Sequence, residues 1–401
     1  MRRALFWSSL GVIAYTYLLF PIVVLLRAAM RPRPHGAADV TPSVTMVIAA
    51  RNEAAGIGAK LANLLSLDYP ADRLEVVVAS DGSDDGTDAV VGAYADRGVR
   101  LVSLPRVGKA PALDAAVAEA TGDVLVFSDA NSIHAPDALR ALVRPFADPL
   151  VGGVAGDQRY LGSEGGDGIA SGERRYWDLE RRLKAAESLG GNVISATGAI
   201  YAIRRSLFRS IPAGVTDDFF TSTGVIAQGY RLVFAPGAVA YEPVSQTAEI
   251  ELGRKVRVMT RGLRGVLLRR ELLDPRRHGF YAFQLLTHKV LRRTMAFPLF
   301  ALAVTSPLLW RRGALYRAAT VAQTAFYALG AAGILLAARP LGRRRALALP
   351  AFFTLVNFAS MRAVWILLRG RNIDRWEPKR PEPAADGAPP GREAPARSGG
   401  S

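Results

Sequence analysis

The sequence predicts an α/β protein: a doubly wound, mostly parallel sheet with transmembrane helices flanking it in the chain. Three observations point there. Short apolar, β-branched runs alternate with helical patterns between Ser43 and Gly156, the spacing of βαβ units. Two of those runs end abruptly in Asp, as strands do at the ligand-binding edge of an open sheet. Long uncharged stretches bordered by Arg lie before and after this half, the ordinary mark of a membrane protein.

Composition narrows the chemistry. The chain has 401 residues, a net charge of +16 and a hydrophobic fraction of 50%. It contains no cysteine and four histidines. A disulfide framework and thiolate metal sites are therefore excluded. Any metal must take oxygen ligands from Asp, Glu or Asn, or one of the few imidazoles, which favours a hard ion such as Mg2+ or Mn2+. A basic chain suggests nucleic acid or an anionic membrane surface. The uncharged runs favour the membrane, and the acidic crevice described below repels a phosphate backbone, so no nucleic-acid partner is expected.

The elements follow in order. Leu5 to Leu26 is long enough to cross a bilayer. It is too long for a signal-peptide core and lacks a small-residue cleavage site before Arg27, so residues 1–30 are read as a retained anchor. Residues 31–41 form a linker. Strands are expected at Ser43–Ala50, Leu74–Ser80, Val99–Leu104, Asp123–Ser128 and Val151–Gly156. Helices are expected after Glu53, over Asp84–Asp96, Pro111–Ala120 and Pro136–Phe146. Gly162–Gly172 reads as a mobile loop and Tyr176–Ser188 as a helix. Ala196–Arg204, Arg231–Phe234 and Ala238–Tyr241 read as short strands, with a helix after Val215–Phe220. Residues 42–248 are thus expected to form one α/β domain. Residues 249–293 are basic and amphipathic, suited to lie along anionic lipids. Three apolar runs, Thr294–Trp310, Ala318–Ala338 and Ala346–Leu368, are candidate spans within 294–370. Residues 376–401 have the composition of a disordered tail.

Three acidic clusters stand out. Asp81 ends VVVASDGSDDGT (Val76–Thr87), with Gly82 able to turn tightly and Ser83 or Asp84 able to cap a helix. Asp129 and Asn131 follow the fourth strand. On an extended segment both oxygens can reach one cation, and either also serves as a helix cap. Asp217 and Asp218 come later. A carboxylate beside another has a raised pKa and suits a general base for a hydroxyl nucleophile, and one of the pair can equally cap its helix. Lys109, in a Gly-Lys turn, is either an exposed lysine or in reach of a phosphate. Arg51 and Glu53 sit at the mouth of the sheet.

Taken together, VIAARNE (Val47–Glu53), LDYP (Leu67–Pro70), VVVASDGSDDGT, GKAPALDAA (Gly108–Ala116), VFSDAN (Val126–Asn131), GAIYAIRR (Gly198–Arg205) and TDDF (Thr216–Phe219) resemble the membrane-embedded family 2 glycosyltransferases. That group includes cellulose, chitin, hyaluronan and poly-N-acetylglucosamine synthases. The resemblance covers about Pro42 to Arg270. It implies a glycosyltransferase A-type domain that binds a UDP-sugar and inverts the anomeric centre. It implies that Ala50, Arg51, Glu53, Asp81 and Lys109 line the nucleotide diphosphate pocket. It places the metal, Mg2+ or Mn2+, on Asp129 and Asn131, the acceptor sugar near Gly198, Ala199 and Asp217, and the base at Asp218.

Two departures qualify the substrate. Asn131 stands where the family motif has a second acid. In place of the processive Q-x-x-R-W motif the chain has Arg254-Lys255-Val256-Arg257-Val258. Arg257 retains a charge for the diphosphate, but Val258 cannot stack on a sugar, which counts against long-chain processive synthesis. The expected acceptor is a glycan in cell-surface polysaccharide synthesis or, alternatively, a lipid carrier or lipid. A multi-pass protein of a bacterial-type inner (plasma) membrane, with its catalytic domain in the cytosol, is expected. So few spans leave room for a homodimer or an export partner.

Overall fold

The computed structural model describes residues 1–160, 169–242, 248–337 and 339–370. Helix α1 runs Arg2–Met30. After an irregular linker come β1 (Val44–Ala50), α2 (Ala54–Leu65), β2 (Leu74–Asp81), α3 (Thr87–Gly92), β3 (Val99–Leu104), α4 (Lys109–Ala118), β4 (Val124–Phe127), the short β5 (Ile133–His134), α5 (Ala138–Val143) and β6 (Val151–Tyr160). Then follow α6 (Ile169–Gly190), β7 (Tyr201–Arg204), α7 (Asp217–Ala227), β8 (Arg231–Glu242), α8 (Ala248–Leu268) and α9 (Phe280–Leu285), which continues into a π-helical turn at Leu286–Leu291. Helices α10 (Ala296–Leu308), α11 (Ala314–Leu335) and α12 (Arg345–Leu368) complete the described chain.

The strands form one sheet in the order β3-β2-β1-β4-β7-β6-β8-β5. Strands β1 to β4 are mutually parallel where they pair, β7 opposes both its neighbours, and β6 pairs parallel with β8. Among the described residues only β7 and β5 run against the rest, so the sheet is mostly parallel as expected. Every residue of β1 is buried, because helices cover both faces. Alternate residues feed two cores: Met46 and Ile48 meet Leu61, Leu64 and Leu139 on one face, while Val47 meets Leu113, Leu125 and Phe127 on the other.

This direction pattern positions the site. The carboxyl ends of β1, β2, β4, β6 and β8 and the amino end of β7 lie along one edge. Asp81, Asp129, Gly198 and Glu242 therefore share a crevice although they are far apart in sequence.

Several elements differ from expectation. The two strands expected at Arg231–Phe234 and Ala238–Tyr241 are one strand, β8. Pro236 and Gly237 are exposed in its middle, and the register against β6 shifts there, so a bulge absorbs the break that Pro-Gly suggested. Helix α3 starts later than Asp84, after Gly86 at φ 91°, and neither Ser83 nor Asp84 caps it. The Asp85 carboxylate instead accepts the Thr87 N–H at 3.0 Å. The stretch expected to span at Thr294–Trp310 forms a helix of only 13 residues, about 20 Å long and too short for a hydrocarbon core. Among the described residues three helices, Arg2–Met30, Ala314–Leu335 and Arg345–Leu368, are long and apolar enough to cross a membrane. Most of the loop expected at Gly162–Gly172, and the tail expected at 376–401, lie outside the described residues.

Candidate active site

The crevice begins at the end of β2. Asp81 is buried, and its Oδ1 accepts the N–H groups of Val107 (2.6 Å) and Gly108 (2.8 Å). It thereby folds the segment before α4 over the sheet edge and delivers Lys109 to the crevice as the first residue of that helix. Gly82 adopts φ +61°, and a Cβ there would lie 2.8 Å from the Arg106 backbone nitrogen, so only glycine fits. Arg51 donates to the Asp81 carbonyl at 2.7 Å, bracing the same turn. Asn52, at φ 51°, exchanges hydrogen bonds with Asp84. Ala50 is buried at the end of β1, and Glu53 is buried at the start of α2 rather than displayed at the mouth of the sheet. Arg51 and Asp81 are thus brought together as the frame of one loop.

At the end of β4 the chain turns. Ser132 N–H bonds to the Asp129 carbonyl at 3.3 Å, so Asp129-Ala130-Asn131 lies on a tight turn and not on an extended segment. The Asp129 carboxylate faces Lys109, and Asn131 is exposed on the same turn. Asp129 N–H bonds to the Gly198 carbonyl at 2.9 Å. A Cβ on Gly198 would sit 2.6 Å from Asp129 Oδ2, so the glycine makes the space that this carboxylate oxygen occupies. Ala199 is buried beside it.

Lys109 joins the two acidic clusters. Its ammonium lies 2.7 Å from Asp129 Oδ1 and 3.1 Å from Asp217 Oδ2. Burial opposes its charge, but the two carboxylates outweigh burial and hold the lysine protonated. Asp217 and Asp218 open α7, where the helix N-terminus favours negative charge. Burial, and then the Asp217 charge, push the Asp218 carboxyl up to about 6. Lys289, Lys109 and the Phe219 N–H oppose that shift.

The donor set can be tested against a divalent cation. Asp129 offers a carboxylate in a cradle that a Cβ at 198 would fill, and Asn131 offers an amide oxygen on the same turn. Both are hard oxygen donors, and the rest of a Mg2+ or Mn2+ shell is usually water and substrate phosphate. The residues fit such an ion. Among the described residues no three His, Asp or Glu side chains converge as a self-contained metal cage.

Residues 45–211 match the family model for glycosyl transferase family 2. This chain carries a family 2 glycosyltransferase domain. It is 29% identical over 245 residues to an N-acetylglucosaminyltransferase of Rhizobium leguminosarum bv. viciae, covering 57% of each chain. It is 26% identical over 229 residues to a poly-beta-1,6-N-acetyl-D-glucosamine synthase of Staphylococcus aureus, covering 55% of each. The chain thus spans little more than half the length of these curated relatives. The mannosyltransferase PcManGT of Pyrobaculum calidifontis, solved with GDP-Man and Mn2+, superposes with a TM-score of 0.69 at 26% identity, over 93% of this chain and all of that one. The sheet is that of a glycosyltransferase A-type fold.

The helix bearing the altered motif is α8. Arg257 is half-buried on it, and burial followed by the Arg254 charge lowers its pKa. Val258 is 38% exposed. The charge of Arg254, in place of the expected Gln, favours the ionised form of Glu242 at the end of β8. Glu242 is a site residue that sequence reasoning missed. Burial and then the Asp129 charge push its carboxyl up to about 7, and Gln158 donates to it. Its signal was available: an acid ending a strand, as Asp81 does. Lys289 and Arg293, whose charges act on Asp218 from behind α7, were read only as part of a basic membrane-surface stretch.

Proposed function

We propose that this chain is an inverting glycosyltransferase that moves a sugar from a nucleoside diphosphate sugar, most simply a UDP-sugar, to an acceptor hydroxyl at a membrane. One observation carries the reading. Lys109 is clamped between Asp129 and Asp217, beside Asp218, at the carboxyl edge of the sheet. That places a fixed cation, a hard-ligand turn and a carboxylate of raised pKa around one crevice.

The mechanism follows from those groups. The acceptor oxygen attacks the anomeric carbon, and its proton passes to the Asp218 carboxylate. The new C–O bond forms as the bond to phosphate breaks, and the electron pair leaves with the nucleoside diphosphate. In-line attack inverts the centre. Lys109 faces the developing charge on the leaving group, with Arg257 assigned to the same diphosphate. A divalent cation held by Asp129 and Asn131 would supply further charge neutralisation there. The loop framed by Asp81 and Arg51, with Ala50 and Glu53 beneath it, forms the nucleotide end. Gly198, Ala199 and Asp217 border the acceptor.

Val258 favours a second reading of the acceptor. Its side chain lies exposed on α8 and offers no flat ring for a growing glycan. Helix α8 also packs along α12, a candidate span. Transfer of one sugar to a lipid-linked acceptor suits that arrangement, and product length separates it from polymer synthesis. With one span before the domain and two after it, a cytosolic domain puts Arg369, at the end of the last span, on the cytosolic side, as the positive-inside rule prefers.

The test is incubation of the purified full chain with a panel of UDP-sugars and GDP-mannose, with Mg2+ or Mn2+, and mass analysis of the products. Transfer from at least one donor is expected. Absence of transfer from every donor to glycan and lipid acceptors alike would sink the reading.

A further inference from the structure

Lys60 lies on the apolar face of α2, between Ile57, Leu61 and Leu64, with none of its surface exposed. A lysine in a core position carries a desolvation penalty of several kcal/mol if it stays charged. Its ammonium donates to Ser132 O (2.6 Å) and Ser128 Oγ (2.7 Å), and lies 3.1 Å from Ser132 Oγ and 3.2 Å from His134 Nε2. All of these partners are neutral. His134 is held uncharged, because burial and then the Lys60 charge push its pKa well down.

The same partners reach the crevice. Ser132 Oγ donates to the Asp129 carbonyl at 2.9 Å, and Ser128 Oγ donates to the Ala199 carbonyl at 2.9 Å. One buried ammonium therefore ties together α2, the turn bearing Asp129 and Asn131, and the segment bearing Gly198 and Ala199. An apolar side chain would fill this core position at lower cost. A buried cation here is explained by the geometry that it imposes on the turn.

We propose that Lys60 is a positioning residue, which fixes the Asp129–Asn131 turn from beneath so that its oxygens meet a divalent cation and the donor diphosphate in one geometry. The inference rests on the glycosyltransferase reading of the crevice. Two effects compete. The ammonium orders the ligand turn, and its charge also repels a second cation. Ordering dominates, because the Lys60 amine touches the turn directly, whereas burial pulls its pKa down to about 7 against the opposing pull of Asp129 and Glu242, which weakens its charge.

The experiment is a Mn2+ titration of the full chain in detergent, followed by electron paramagnetic resonance without donor, for wild type, Lys60→Met and Ser132→Ala. Donor KM and kcat are measured in parallel. Lys60→Met is expected to weaken Mn2+ binding about tenfold, as loss of an outer-shell partner does elsewhere, and to raise donor KM more than it lowers kcat at saturating Mn2+. Unchanged or tighter Mn2+ binding in a folded Lys60→Met protein overturns the proposal. If Lys60→Met fails to fold, Ser132→Ala decides: weakened Mn2+ binding supports the positioning role and wild-type binding overturns it. A wild type that binds no Mn2+ overturns both the metal reading and this proposal. Transfer by wild type with unaltered variants overturns the proposal alone.

Discussion

Asp218 is a carboxylate that burial, and then the Asp217 charge, keep from ionising readily, against the pull of the cations around it. It faces Asp217 on its own helix, Lys109 from α4, Lys289 and Arg293 from the segment after α9, and Lys184 from α6. A general base must be ionised to accept a proton, so kcat/KM is expected to fall tenfold per pH unit below about 6. Lys289→Met removes a charge that favours the ionised form and should move that acid limb upward, by about one unit. A limb that stays put, or moves down, in a pH–rate profile would contradict the assignment. Asp218→Asn should lower transfer by about a hundredfold to ten-thousandfold while leaving donor binding by calorimetry nearly intact. Undiminished turnover would remove Asp218 from the base role. At Gly198, an alanine would push its Cβ to 2.6 Å from Asp129 Oδ2. Displacement of that carboxylate should cut kcat/KM about a hundredfold with little change in thermal unfolding. Wild-type kinetics for Gly198→Ala would show that the carboxylate has room to move.

At the scale of elements, the loop between β2 and α3 shows how a turn is made obligatory. Gly82 needs a positive φ and also faces the Arg106 backbone at 2.8 Å, and backbone cannot rotate away as a side chain can. Gly82→Ala is therefore expected to cost about 2 kcal/mol or more, read as a lowered denaturation midpoint. The sequence made this turn legible, because a β-branched run ending in Asp-Gly has few other uses. It also made the parallel half legible, since buried strands of Val, Ile and Ala alternate with helical patterns. It did not show that β8 runs through Pro236 and Gly237, because a bulge depends on the partner strand. Nor did it show that Asp81 spends its Oδ1 on Val107 and Gly108, a bond across 26 residues. Lys60 was hidden for the same reason. One lysine within an apolar helical face looks like a surface position until the strand behind it is known.

At the scale of the whole molecule, a chain of contacts runs from α1 to Asp218. Phe20 of α1 is 2% exposed, stacks on Phe280 at 6.2 Å, and meets the His288 ring edge-on at 5.3 Å. His288 pairs with the buried Glu187 of α6 at 2.9 Å. The next residue, Lys289, covers the Phe219 ring at 5.1 Å, immediately beside Asp218. Helix α1 therefore packs against the segment whose Lys289 charge opposes the burial-driven rise in the Asp218 pKa. Sequence reading separated these parts into an anchor, an interfacial stretch and a catalytic domain, because periodicity reports a helix face but not its partner. Phe20→Ala would open a cavity at this junction, and truncation of a fully packed Phe costs about 3 kcal/mol. The full chain in detergent should unfold at a lower temperature than wild type. If the Phe20 contact also holds Lys289 in place, the acid limb of kcat/KM should rise in the same variant. A lowered melting temperature with an unmoved limb would confine Phe20 to anchoring. An unchanged melting temperature would show that α1 and the catalytic domain are energetically independent.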